Sequence, residues 1–210
     1  MSRYTKFMAG LVGAWFVFSL VASALHLYRN GPGRPPIALG VAAVIPMVVF
    51  MAWFLGSPRF RQFTVSLDAR MLTFVQSWRV VGFVFVVLAA YGILPRIFAW
   101  PAGWGDMFIG ATASLAAVKL ANADHRRSFI FWQVLGIIDL VNAVALGALA
   151  GFIDPHGIPA SPMTVLPLSV VPTFGVPLFV ILHVICIAQA RRWSKDQVDA
   201  RGAQLRSQTA

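Results

Sequence analysis

The stretch FIFWQVLGIIDLVNAVALGALAGFI, residues 129–153, decides the fold of this chain. It is long enough to cross a bilayer as a helix, which takes about 20 apolar residues. It also carries a carboxylate, Asp139, and a charge at the bilayer centre costs at least ~2.5–3.5 kcal/mol. Asp139 must therefore be neutral, paired or facing a wet cavity, and the stretch predicts a membrane helix with a polar site.

The composition of the whole chain points the same way. Of its 210 residues, 59% are hydrophobic and 11% are charged, whereas soluble domains carry about 25% charged residues. The net charge of +10 sits in short clusters between apolar runs, which excludes a nucleic-acid surface and is typical of a membrane protein. The single cysteine, Cys186, excludes a disulfide framework.

Six apolar stretches predict an all-α, polytopic membrane protein whose six transmembrane helices form a single bundle. The runs are continuous and lack the alternation of barrel strands. Together they form a transmembrane domain over residues 1–190, with helices at about 8–28, 37–56, 74–95, 102–121, 129–151 and 167–190.

The distribution of lysine and arginine predicts the orientation. Outside the spans, thirteen of these residues fall on the side of the termini and three on the other side. The positive-inside rule then places both termini in the cytoplasm. The tail, residues 191–210, is basic and suited to anionic lipid headgroups. Residues 1–24 resemble a signal peptide, but the apolar run of about 19 residues exceeds the usual 7–15, so we expect it to stay as the first helix.

Three ionisable side chains are predicted to share one layer of the bundle. From the helix rise, Asp139 lies near the midplane, with Arg79 roughly 8 Å and His183 roughly 6 Å to its cytoplasmic side. Arg79 could be the counter-ion of Asp139 and His183 a proton partner. The other candidates for ligand binding or proton relay in this layer are Gln76, Gln133 and Asn142.

The residues leave three interpretations of this cluster open. It could be a functional site, a structural Arg–Asp clasp that fixes helix register, or a protonated acid without a partner. Helix 5 favours close packing, because Gly136, Ala143 and Gly147 lie on the side of the helix that carries Asp139. Asp139 is therefore expected to face protein rather than lipid.

A second polar feature is predicted at the outer surface, in LPRIFAWPAGWGD, residues 94–106. Pro101 is expected in the first turn of helix 4, which leaves Asp106 at least roughly 8 Å outside the midplane. Arg96, Trp104 and Asp106 are the outer-face candidates. They could contact a ligand, or Asp106 could interact with the free N–H groups of the first helical turn.

No metal site and no cofactor are predicted. His26 and His183 differ in depth by roughly 18 Å, too far for both to bind one haem iron, although ligation by a single histidine stays open. Pro172 and Pro177 predict kinks or a break in helix 6.

Several motifs together carry a resemblance: Gln76-x-x-Arg79-x-x-Gly82, LPRIFAWPAGWGD, WQVLGIIDLVNAVALG and VPTFGVPLFVILHV ending in QARRW. Over about residues 72–193 the chain resembles a group of uncharacterised bacterial multi-pass inner-membrane proteins with no assigned activity. The resemblance implies a multi-pass protein of the bacterial inner (cytoplasmic) membrane and no mechanism.

Three classes of function are compatible with these observations. The first is transport of a small solute, or proton-coupled transport, through the polar cluster. The second is a non-enzymatic subunit or scaffold, either in a homo-oligomer or beside a partner membrane protein. The third is a membrane enzyme or redox protein that acts on lipid, quinone or haem. The sequence favours the first and leaves enzymatic activity undecided.

Overall fold

The computed structural model describes residues 3–29 and 36–208, and it describes side chains as far as Trp193. Within these ranges every regular element is helical. The basic tail beyond Trp193, including Lys195, therefore lies outside the described side chains. The all-α class that the apolar runs predict is found.

Five helices are long and apolar enough to cross a membrane, by length and composition. Their outer faces carry large exposed apolar side chains, such as Phe18 at 64% and Val141 at 58% exposure. In water such faces would associate. The five helices are Arg3–Ala24, Ile37–Gly56, Ala69–Ala90, Arg126–Ile153 and Val171–Trp193.

The individual elements are named in chain order. They are α1 (Arg3–Ala24), α2 (Ile37–Gly56), α3 (Pro58–Val65), α4 (Ala69–Val75), α5 (Phe83–Ala90), α6 (Arg96–Leu115), α7 (Arg126–Ile153) and α8 (Val176–Gln208). A 3-10 segment, Gln76–Gly82, joins α4 to α5 into one continuous span.

Helix α6 is the sixth long helix, and it is not among the five most apolar ones. It carries Arg96 and Asp106, together with three glycines, within its 20 residues. It is nevertheless well buried, because its small residues Ala99, Ala102 and Ala113 are at most 1% exposed. Helix α6 packs against the α4–α5 span and against α7, so it occupies the centre of the structure.

Two helix starts differ from the predicted ones, and both have local causes. Helix α4 begins at Ala69 rather than at residue 74, because Asp68 caps it by accepting a bond from Arg70 N at 2.8 Å. Helix α6 begins at Arg96 rather than at residue 102, directly after the extended Pro95. Pro101 was expected in the first turn, and it lies inside the helix instead.

The prolines of the last span produce a local change of winding. Residues Val171–Gly175, which include Pro172, form a π-helical turn before α8 begins at Val176. A proline has no N–H to give to the regular α-helical ladder, so a wider turn at this place is expected. The break that the sequence predicts thus takes the form of a π turn, at the N-terminal end of the span.

Candidate functional site

The hairpin of the α4–α5 span and α6 brings Arg79 and Asp106 to the same depth. Arg79 lies eleven residues before the end of α5 at Ala90, and Asp106 lies ten residues after the start of α6 at Arg96. The turn between them contains Gly92 at φ 69°, a left-handed conformation that favours glycine. The expectation that Asp106 belongs to a separate outer feature was wrong, because α6 starts six residues earlier than expected.

Arg79 is the centre of the site. It is 3% exposed, and its Nε donates to Asp106 Oδ1 at 2.7 Å. Its Nη2 donates to Asp139 Oδ2. Its Nη1 contacts His183 Nε2 at 3.2 Å and donates to the carbonyl of Gly136 at 3.3 Å. One guanidinium therefore links its own span to α6, α7 and α8.

Glycines make room for these polar groups. A Cβ on Gly105 would collide with the Asp139 carboxylate, and one on Gly136 would collide with the imidazole of His183. A Cβ on Gly82 would likewise collide with the side chain of Asp106. The small-residue face was predicted on the span at 129–151, which is α7 in the structure. It allows a polar side chain to approach closely and also serves helix packing.

The contacts of His183 determine its protonation state. A guanidinium has donors only, so His183 Nε2 must accept from Arg79 and carries no proton. Its Nδ1 then carries the hydrogen and donates it to Gln133 Oε1. His183 is 0% exposed. A second ring proton would point at the guanidinium, so the imidazole is neutral in this arrangement.

A directed series of hydrogen bonds continues from His183. Gln133 Nε2 donates to Thr73 Oγ1 at 3.1 Å, and Thr73 Oγ1 donates to the carbonyl of Ala69 at 2.8 Å. Gln133 and Thr73 are both 0% exposed. An amide does not pass protons on in its ordinary form, so Gln133 ends any proton path through His183. The role of His183 as a proton partner stays a prediction; in this geometry its ring accepts from Arg79 and donates to Gln133.

The cluster carries two carboxylates for one guanidinium. With His183 neutral, ionised Asp106 and Asp139 leave the site with a charge of −1. A net charge in a low-dielectric interior is unfavourable unless it is compensated. The site can reach neutrality by holding one proton on a carboxylate, which provides a hydrogen that can be exchanged.

Asp139 faces a cleft between α6 and α7. The cleft has a volume of about 330 Å³, and its wall is apolar apart from Asp139 and Asn142. The side chains of Asp106 and Asp139 are each 14% exposed, but only Asp139 lines this cleft. Asp139 is therefore the carboxylate of the pair that a small molecule in the cleft would meet.

The other sequence candidates lie apart from the cluster or at its edge. Gln76 is 1% exposed and donates to the carbonyl of Phe179 at 3.3 Å, while its Oε1 has no partner. Arg96 and Trp104 are exposed and do not contact Asp106. The outer-face group of Arg96, Trp104 and Asp106 is therefore not assembled.

Thr73 is a member of the network that the sequence analysis missed. Its hydroxyl is the acceptor for Gln133, and it lies 3.8 Å from Cys186 Sγ. The available signal was its spacing, because Thr73, Gln76 and Arg79 recur at three-residue intervals. That period places them on one face of a helix.

Comparison with known proteins identifies the family. A family model described as "Domain of unknown function (DUF8737)" matches residues 36–191, and the chain belongs to this family. No curated protein and no solved structure matches the chain. The matched range contains the complete polar cluster and begins just before α2.

Proposed function

We propose that this member of the DUF8737 family is an integral membrane protein in which the cluster of Arg79, Asp106 and Asp139 binds and releases one proton during transport of a small solute. The observation that carries the proposal is the imbalance of two carboxylates on one buried guanidinium. A buried ionisable group in a membrane interior is a functional candidate by default.

The membrane setting rests on the apolar helices. Five helices have the length and composition to cross a bilayer. We include α6 as a sixth spanning helix, because it has the same length as α2 and packs between the α4–α5 span and α7. With six spans, both termini lie on the arginine-rich side, which the positive-inside rule assigns to the cytoplasm. The resemblance of the motifs supports a bacterial inner membrane as the location.

The direction of proton access follows from the hydrogen bonds. The side of the cluster beyond His183 is closed to protons by Gln133. The side of Asp139 faces the cleft between α6 and α7. A proton and a solute would therefore meet at Asp139, and Asn142, the other polar residue of the cleft, could bind the solute beside it.

A static helix clasp is the second candidate, and one observation favours it. Arg79 makes four hydrogen-bonding contacts to three helices other than its own span. Such a side chain could serve only to fix the packing of a membrane subunit.

Infrared spectroscopy can test the proton directly. In the purified protein, a pH titration should show the C=O stretch of a protonated carboxyl group that disappears in Asp139→Asn or changes in Asp106→Asn. Asp154→Asn is the matched control, because Asp154 is an exposed acid at the end of α7. Absence of a titrating carboxyl band in the wild type would contradict the proposal.

Proton uptake into proteoliposomes tests the transport activity itself. With a pooled extract of small solutes supplied, an imposed membrane potential should drive proton uptake by the wild type and by Asp154→Asn, and Asp139→Asn should reduce it to the level of empty vesicles. If Asp139→Asn takes up protons like the wild type, the transport proposal is wrong. The clasp is supported if neither the wild type nor Asp139→Asn takes up protons above the level of empty vesicles, and if Asp106→Asn and Asp139→Asn together restore the accumulation that Arg79→Gln loses.

A further inference from the structure

A second cleft lies at a different place in the fold and is rich in arginine. It has a volume of about 550 Å³ and is lined by Phe54, Arg61, Val65, Arg126, Ala188, Arg191 and Arg192. These residues come from the end of α2, from α3, from the first residue of α7 and from α8. Four guanidinium groups from three helices thus meet around one space.

The charge of this cleft has no compensation within the described part of the chain. Over residues 3–29 and 36–193, the ion pairs are those of Arg79 with Asp106 and Asp139. The Nε of Arg126 is buried and has no hydrogen-bond partner. A buried donor without an acceptor is unfavourable, and more so when the donor is charged.

The position of Arg126 adds to this imbalance. Arg126 is the first residue of α7, and its N-cap residue, His125, makes no side-chain capping bond. The N-terminus of a helix carries a partial positive charge, so a cation there is unfavourable and an anion is favourable. The cleft thus combines four arginines with the positive end of a 28-residue helix.

The remaining walls of the cleft are apolar. Phe54, Val65 and Ala188 are half-buried and line it beside the arginines. Guanidinium groups bind phosphate oxygens in a bidentate manner, and apolar walls suit a hydrocarbon chain attached to such a group. The combination selects an anion with a phosphate head, and it is more specific than a general basic surface.

We infer that this cleft is a binding site for a phosphate group, with Arg61 and Arg126 as the inner ligands and Arg191 and Arg192 at its rim. Arg61 and Arg126 are half-buried, whereas Arg191 and Arg192 are exposed. The phosphate can come from an anionic lipid headgroup or from a soluble phosphorylated compound. The site is independent of the Arg79 cluster and of the proposed transport.

The chain offers matched controls for a test. Arg59 lies two residues before Arg61 on α3, and Arg127 follows Arg126 on α7. Both control residues are exposed and do not line the cleft. The double variants Arg61→Gln/Arg126→Gln and Arg59→Gln/Arg127→Gln therefore remove the same charge from the same two helices.

Native mass spectrometry of the full-length protein in uncharged detergent measures the binding. We expect the wild type to retain phosphatidylglycerol and not diacylglycerol with the same acyl chains. Arg61→Gln/Arg126→Gln should weaken retention at least tenfold more than Arg59→Gln/Arg127→Gln, because only the former removes charge-assisted hydrogen bonds to the phosphate. If the inner variant does not fold, Arg191→Gln/Arg192→Gln replaces it and should still weaken retention.

Competition with inorganic phosphate distinguishes the two sources. Displacement of phosphatidylglycerol by inorganic phosphate would identify a site for soluble phosphorylated compounds, and retention in its presence would identify a lipid site. Equal losses in the two double variants would overturn the inference, since the attraction would then come from diffuse charge. Equal retention of diacylglycerol, or binding of neither phosphate probe, would overturn it as well.

Discussion

Arg79, which is buried, and Arg126, which is half-buried with a buried Nε, show two ways in which one chain treats a guanidinium group. Arg79 is surrounded by acceptors, namely two carboxylates, a carbonyl and an imidazole nitrogen. Arg126 has a buried Nε without an acceptor and shares its cleft with three further arginines. The first site is complete within the protein, whereas the second is complete only with an anion from outside.

The difference separates structural from ligand-dependent charge. The removal of an arginine from a complete site leaves its partners uncompensated, and this destabilises the fold. The removal of an arginine from an incomplete site relieves repulsion and changes only what the site can bind. Stability measurements on variants in both regions therefore test whether the two sites differ in this way.

The largest effect is expected for Arg79→Gln. The exchange leaves Asp106 and Asp139 without a cation, and the loss of one partner of a buried ion pair costs about 3–5 kcal/mol. We expect poor accumulation and a large drop in the unfolding midpoint in detergent. Replacement of both acids as well, by Asp106→Asn and Asp139→Asn, should recover most of the loss. Wild-type stability of Arg79→Gln alone would contradict the assignment of Arg79 as the centre.

The second effect concerns the packing of α6 against the 3-10 segment. A Cβ on Gly110 would lie 2.9 Å from the carbonyl carbon of Arg79 and still closer to the main chain of Val80. Because main chain cannot swing away as a side chain does, we expect Gly110→Ala to destabilise the protein by about 2–3 kcal/mol. Gly151→Ala is the control, since nothing lies within 4 Å of the added atom. Equal unfolding midpoints would show that the two helices can separate at little cost.

A third and smaller effect is expected for Gln133→Leu. The exchange removes the acceptor of His183 Nδ1–H and the donor to Thr73. An unsatisfied buried donor costs about 1–2 kcal/mol. Nitrogen-15 spectra of labelled histidine should show a neutral ring with the proton on Nδ1 in the wild type, and a changed Nδ1 signal in the variant. A doubly protonated ring in the wild type would contradict the directed hydrogen-bond series.

The smallest effect, and one of opposite sign, is expected for Arg126→Gln. Without an added anion it removes an unfavourable charge from the N-terminus of α7, which is worth about 0.3–1 kcal/mol. We expect a slightly higher unfolding midpoint in phosphate-free, lipid-depleted detergent. Phosphatidylglycerol should stabilise the wild type more than the variant. A loss as large as that of Arg79→Gln would show that Arg126 also has internal partners, and the comparison would fail.

The sequence predicted the helical class and placed Arg79, Asp139 and His183 in one layer, because long apolar runs and helix rise determine depth. Their contacts with one another depend on how the helices pack. It failed for Asp106 because two prolines, Pro95 and Pro101, can each mark a helix start. The choice depends on packing: Gly103 and Gly110 contact the main chain of the 3-10 segment. Phe98 and Ala99, which precede Pro101, are buried as well, and this packing favours a helix that begins at Arg96.

The arginine cleft could not be predicted from the sequence, for a different reason. Arg61, Arg126 and Arg191 lie at the ends of apolar runs, where the positive-inside rule accounts for each of them separately. Their convergence depends on how α3, α7 and α8 pack, and no local pattern encodes that. The tautomer of His183 could not be predicted from the sequence either, because it depends on which side chains lie beside each ring nitrogen.

The 3-10 winding of Gln76–Gly82 has a geometric consequence for the charged cluster. At three residues per turn, Gln76, Arg79 and Gly82 point in the same direction, and all three are buried. In an α-helix each three-residue step turns by about 300°, so the same residues would fan across about 120°. The segment would also shorten by about 3.5 Å, because the rise per residue falls from about 2.0 to 1.5 Å. The direction of the Arg79 side chain thus depends on the 3-10 conformation of its own segment as well as on the carboxylates that bind it.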